Sequence, residues 1–291
     1  MFPNPILVAS GTFGYAKEME TVVDLSRLGG IVPKTVTLAP RPGNKLPRTV
    51  ETASGMLNSI GLDNDGIDEF LCAKLPYLRT LGVPIILSIA AKNVEECPIF
   101  CEKLAAVDGL TAVELNVSCP NVSGGVDFAT DPILCERIVS ELRKSIRLPM
   151  IVKLSPNVTH IGVIAKAAES GGADYIAAIN TCFGLSVDWR SRKPRLGNGF
   201  GGLSGPAIKP IALRCVRQIY EAVKIPIIGI GGIETIDDVM EFFVTGASVI
   251  QVGTANFYNP TATMKILDAL PAALRELGAN SVDEIVGTLQ W

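Results

Sequence analysis

The run AVELNVSC, residues 112–119, begins apolar and ends in polar groups. A strand with one face in water alternates apolar and polar residues. A strand covered on both faces does not, and that habit belongs to parallel sheets. Seven more runs of this kind recur at a nearly regular interval: PILVAS (5–10), GIVPKTV (30–36), PIILSIA (84–90), PMIVKLS (149–155), YIAAINT (175–181), PIIGIGG (226–232) and SVIQVGT (248–254). Between most of them lie segments of helical periodicity, at 93–107, 131–146, 163–172, 207–223 and 236–246. Thr130-Asp131-Pro132 and Gly171-Gly172 supply a start and a stop signal. Eight strands alternating with helices predict a (β/α)8 TIM barrel, one domain over residues 1–291. A doubly wound open sheet is the runner-up, but no Gly-x-Gly-x-x-Gly follows the first strand. Two longer irregular stretches, near 37–65 and 183–205, read as extended loops over the barrel mouth.

Composition narrows the function. The formal charge of −3 comes without a basic block or a Lys/Arg-rich run, so nucleic acid has no electrostatic footprint. No apolar stretch reaches the roughly 18 residues of a membrane span, and the start lacks a signal-peptide pattern. A cytoplasmic protein is expected. Seven scattered cysteines (72, 97, 101, 119, 135, 182 and 215) fit a reducing compartment. Cys97 and Cys101 lie four apart, but no second cysteine pair follows and His160 is the only histidine, so no metal site is expected. The lone histidine also makes a Ser-His-Asp site improbable, and His160 reads as a surface or loop residue.

The strand ends carry the chemistry. Ser10-Gly11, Lys34-Thr35, Ser88, Asn116 to Cys119, Lys153, Asn180-Thr181, Gly231-Gly232 and Gly253-Thr254 close the eight runs. One polar strand end is a cap or a turn; eight on one rim point to a ligand site. The glycines of the last two runs free backbone N–H groups for an anion, which favours a phosphorylated cofactor or substrate, although either pair alone reads equally as a turn. Lys34 and Lys153 stand at the ends of buried strands, where a cation needs a partner. Either each snorkels to a rim carboxylate or both meet an electron-rich ring or a carboxylate ligand. Asn58, Asn116 and Asn180 suit a planar, amide-rich ligand. Asn58 lies in GMLNSIGL, whose glycines permit close wrapping or simply a loop turn. Cys119 is the proton-transfer candidate: a free thiol titrates near ~8.5, and on a rigid strand end it can take a carbon-bound proton. Its bland alternative is an inert apolar filler.

Nine motifs, NVSCPNVSGG, PKTVT, RPGN, GMLNSIGL, VKLSPN, AINT, GGLSGPAIKP, GIGGI and VGTA, together resemble class 1 dihydroorotate dehydrogenase in order and spacing over nearly the whole chain. The resemblance implies oxidation of dihydroorotate to orotate in pyrimidine biosynthesis, on FMN over the barrel. It implies that Cys119 removes the C5 proton while the C6 hydride passes to flavin N5. It places Lys34 on both flavin and substrate. Asn58, Ser59, Ile60, Gly61, Leu62, Asn116, Asn180 and Thr181 would hold the substrate. Ser10, Thr35, Ser88, Asn116, Lys153, Ile179 and Gly205 would contact the flavin, and Gly231, Gly232, Gly253 and Thr254 its phosphate. DFATDP and LAPRPGNKLPR look like subtype 1B. That subtype implies a homodimer assembled into a heterotetramer with an iron–sulfur subunit, which carries FAD and a [2Fe-2S] cluster and reduces NAD. A subtype 1A homodimer using fumarate is the alternative. From different classes, a lyase forming a Schiff base at Lys153 and a non-catalytic flavin-binding scaffold stay on the table. One departure is the start: the family usually carries a segment before NPI, and Met1-Phe2-Pro3 leaves the closing of the barrel bottom open. The loop with Arg41, Asn44 and Lys45 is a candidate lid.

Overall fold

Each of the eight runs forms a parallel strand in the computed structural model, which describes residues 1–118 and 128–291. They are β1 (Ile6–Val8), β2 (Gly30–Ile31), β3 (Ile86–Ile89), β4 (Ala112–Asn116), β5 (Met150–Leu154), β6 (Tyr175–Ala178), β7 (Ile227–Ile230) and β8 (Val249–Val252). The sheet order is β2-β1-β8-β7-β6-β5-β4-β3. Parallel bridges Ile31↔Ile85 and Val36↔Ile89 join the last strand to the first, so the sheet closes. The fold is a (β/α)8 barrel.

Side chains alternate across a strand, so every second residue points inward. The inner set is Leu7, Val32, Ile86, Ala112, Ile151, Ala177, Ile228 and Val249, with Ala9 and Ile230 above. Phe2 and Tyr175 pack against it from the N-terminal ends, their rings 6.3 Å apart and edge to face. Phe2 thus covers the apolar interior at this end of the barrel.

Outside the barrel, the helices Cys97–Leu104, Pro132–Arg143, Ile161–Ser170, Lys209–Ala222, Ile236–Thr245 and Ala262–Glu276 bury one stripe each. In Pro132–Arg143 the buried residues are Cys135, Ile138, Val139 and Leu142, the i, i+3, i+4, i+7 pattern. Asp131 caps this helix by accepting from the N–H groups of Ile133 and Leu134. Between β1 and β2 there are two 3-10 turns and no α-helix. Gly11, Gly14 and Ala16 there hold positive φ, which turns the chain instead of coiling it.

The two stretches expected as irregular loops contain strands. Thr49–Thr52, Gly55–Asn58, Phe200–Ser204 and Cys182–Leu185 pair in that order as an antiparallel sheet. Four glycines, 55, 184, 201 and 202, dilute the β-branched signal that marks a strand. Beside it, the exposed hairpin of Val187–Asp188 and Lys193–Pro194 gathers Arg190, Arg192, Lys193 and Arg195, a local basic run that the net charge hides. Cys97 and Cys101 are buried between helices, and Cys101 Sγ donates to the Leu142 carbonyl. His160 is exposed at the start of helix Ile161–Ser170. Among the described residues no helix is long and apolar enough to cross a membrane.

Candidate active site

At the carboxyl ends of the strands, under the antiparallel sheet, lies a cavity of about 740 Å³. Ser10, Lys34, Thr35, Asn58, Ser59, Ile60, Gly61, Leu62, Asn116, Lys153, Ile179, Asn180, Thr181, Gly205, Gly231, Gly232, Gly253 and Thr254 all line it. Residues far apart in sequence meet here because each follows its own barrel strand.

Two lysines rise into the cavity. Lys153 is only 7% exposed, and neither its ammonium nor that of Lys34 has a hydrogen-bond or ion-pair partner among the described residues. Among the described residues neither lysine therefore meets the rim carboxylate that the snorkelling reading calls for. Burial pushes Lys34 below its ordinary value; Asp63 pulls it upward and the like charge of Lys153 pushes it further down. A buried cation facing a cavity is a receptor for an anion or an electron-rich ring.

Beside Lys153 the wall is amide-rich. Asn116 Oδ1 accepts from the Ser118 N–H (3.1 Å) and from Asn180 Nδ2 (3.3 Å), and Asn180 Oδ1 accepts from the Thr181 N–H (2.9 Å). With its oxygen engaged twice, Asn116 keeps its NH2 group as a donor. Asn157, not singled out from sequence, donates to Ser155 Oγ (2.9 Å) and the Thr181 carbonyl (3.0 Å) and accepts from the Phe183 N–H (2.9 Å). It staples the β6 loop to the β5 loop. Nothing in the spelling VKLSPN separates that role from an ordinary turn.

Residues 58–62 are fixed by the neighbouring loop. Arg48 donates to the Asn44 and Pro42 carbonyls (2.6 and 2.7 Å) and pairs with Asp63 at 2.6 Å. Asn44 Nδ2 then donates to Ser59 Oγ at 3.0 Å. Arg41 and Asn44 reach the cavity, but Lys45 does not line it. Exposed Phe183, Phe200, Phe257 and Tyr258 also line the cavity.

Ser88 stands apart from the other expected contacts. It is fully buried behind Thr35, in a hydroxyl chain of Ser88 Oγ, Thr35 Oγ1 and Ser10 Oγ with 2.9 Å links, ending on the Pro33 carbonyl. Its reach to the cavity runs through Thr35. Cys119 lies outside the described residues; Ser118, just before it, lines the cavity.

The β7 and β8 ends form a backbone cradle. Gly232 has φ +73°, and a Cβ there would lie 2.8 Å from Lys209 Cβ and 2.9 Å from the Gly205 carbonyl oxygen. Only glycine fits. The N–H groups of Gly231, Gly232, Gly253 and Thr254 donate to no group of the described residues. Lys209, the nearby cation, is committed to Asp238 (2.6 Å) and Glu241 (3.0 Å). An anion here would rest on backbone donors.

The sequence profile described as dihydroorotate dehydrogenase matches residues 1–274. The chain is 50% identical over 285 residues to the dihydroorotate dehydrogenase B (NAD(+)) catalytic subunit of Desulforamulus reducens, covering 98% of this chain and 94% of that one. It is 48% identical over 287 residues to the protein of the same name from Geotalea uraniireducens, covering 98% and 94%. With the one from Listeria monocytogenes it shares 46% over 283 residues, covering 97% and 93%. Profile, identity and coverage agree, and the chain belongs to the dihydroorotate dehydrogenase family.

Proposed function

We propose that this chain is the catalytic subunit of an NAD-linked dihydroorotate dehydrogenase, oxidising dihydroorotate to orotate in pyrimidine biosynthesis. One observation carries the reading. One cavity joins two lysines and a glycine cradle whose N–H groups, like the ammonium groups, have no partner among the described residues, together with an amide-rich wall.

Those residues fit FMN. Gly231, Gly232, Gly253 and Thr254 offer a phosphate its donors at a cradle that a Cβ on Gly232 would fill. Ser10, Thr35, Asn116, Lys153, Ile179 and Gly205 would hold the rest of the molecule, with Ser88 supporting Thr35. When bound, FMN supplies a hydride acceptor. The chain's own part is positioning and proton transfer. Lys34 meets the substrate carboxylate, and residues 58–62 with Asn116, Asn180 and Thr181 orient the ring by hydrogen bonds. The Cys119 thiolate takes the C5 proton onto Sγ. The loop of Arg41 and Asn44 covers the substrate and limits water.

The name "catalytic subunit" carried by the relatives supports a partner chain. The subtype supplies its kind: an iron–sulfur subunit with FAD and [2Fe-2S], joined to a homodimer of this chain as a heterotetramer in the cytoplasm. The relatives' NAD(+) designation favours NAD over fumarate as acceptor. The test is dihydroorotate turnover by the purified chain with fumarate, and with NAD in the presence and absence of the partner. NAD reduction only with the partner is expected. Fumarate reduction by the chain alone would place it with subtype 1A.

A further inference from the structure

Beneath the cavity floor sits a carboxyl group to which the proposed chemistry gives no role. Glu114 on β4 is 0% exposed, and its Oε2 accepts a 2.8 Å hydrogen bond from Gln251 Nε2 on β8. β4 and β8 are not neighbours in the sheet, so the bond crosses the barrel interior. Glu114 Oε1 and Gln251 Oε1 have no hydrogen-bond partner among the described residues. Glu114 also forms no ion pair among the described residues. A neutral amide alone is poor compensation for a buried carboxylate.

The compensation lies one layer higher. Asn116, two residues along β4, is the register partner of Lys153 on β5, and Glu114 is the partner of Ile151. Ile151 belongs to the inner apolar cluster, so alternation points Lys153 inward as well. A buried acid and a buried base, each without an ionic partner among the described residues, thus stand on adjacent strands one layer apart. In a poorly polarisable interior such charges attract without contact. A direct ion pair would draw the ammonium down out of the cavity.

We infer that Glu114 is the counter-charge of Lys153, a positioning residue whose carboxylate stabilises the ammonium at the cavity floor while leaving it free to face a ligand. On the flavin reading, on which this second consequence rests, Glu114 also limits how strongly Lys153 favours the reduced, anionic ring.

The test is a double-mutant cycle by urea unfolding of the ligand-free chain, with Glu114→Gln, Lys153→Met and both together. Gln keeps the shape and the link to Gln251. The double variant should be more stable than the two single effects predict, and Glu114→Asp, which keeps the charge, should restore the coupling. Additive effects, or an aspartate variant as uncoupled as the glutamine one, overturn the inference. On protein loaded with FMN, Glu114→Gln should raise the reduced-to-oxidised ratio several-fold at a fixed dye potential, and Lys153→Met should lower it. An unmoved ratio in Glu114→Gln counts against the inference. A chain that takes up no flavin defeats the functional reading instead, and the unfolding cycle still decides the role of Glu114.

Discussion

The two ends of the barrel are built by the same eight strands and differ by a two-residue step. At the N-terminal end, Leu7, Ile86, Ala112, Ile151, Ala177 and Val249 fill the interior with hydrocarbon, sealed by Phe2 and Tyr175. Two residues on, these strands present Ser88, Glu114, Lys153 and Gln251, and at the rim come Asn116, Ser155 and Gly253. The lower end is satisfied by its own packing. At the upper end cations and N–H groups have no partner among the described residues, an arrangement that suits a bound ligand. Stability and chemistry are therefore separable along a single strand, and substitutions can test that separation.

The largest effect is expected at the top. Cys119→Ala should cut dihydroorotate turnover by roughly 10²–10⁴-fold, the usual worth of a general base, with bound flavin and unfolding midpoint unchanged. Cys119→Ser should be severely slowed as well, since a hydroxyl is far less acidic than a thiol. A near-normal rate in the alanine variant would place the base elsewhere. Next comes a contrast within β5. Ile151→Ala should cost about 2–5 kcal/mol in urea unfolding, the price of a core cavity, with little effect on turnover while folded. Lys153→Met, one inward position higher, should lose turnover more than stability. Equal patterns for the two would erase the distinction between the ends.

A smaller effect is expected in pH. Turnover should rise with pH as the Cys119 thiolate forms, a free thiol titrating near ~8.5, and fall again as Lys34 loses its proton, below the ordinary lysine value of ~10.4. The sign for stability is opposite. Between the lowered folded value and the ordinary one the unfolded chain holds the extra proton, so the Lys34 contribution to stability rises with pH there. KM for dihydroorotate against pH checks the falling limb, which Lys34→Arg, staying charged, should remove, and urea unfolding against pH checks the stability sign. A profile flat from about 6 to 9 would contradict the thiol base. Smallest of all, Asp131→Ala should cost about 0.5–2 kcal/mol by removing the cap of helix Pro132–Arg143, with the site untouched.

The barrel was legible in the sequence because doubly covered strands are apolar without interruption and their polar ends recur in phase. The rim residues were legible for the same reason: Lys34, Asn116 and Lys153 break runs that are otherwise hydrophobic. The antiparallel sheet over the mouth was not, because its glycines are there for close approach. A Cβ on Gly202 would come 2.0 Å from Thr181 Oγ1, and such glycines spell a loop. Ser88 looked like a wall residue because nothing in a strand run shows that Thr35 stands in front of it. The Glu114–Gln251 link joins strands four apart in the sheet, a contact that only closure of the barrel creates.

The central claim is that this chain itself oxidises dihydroorotate at the cavity floor. The most direct measurement is an anaerobic visible spectrum of the purified chain before and after dihydroorotate is added. The account predicts an oxidised flavin band that bleaches on addition, with orotate formed in step. A protein without flavin, or a band that dihydroorotate leaves unchanged, would contradict it.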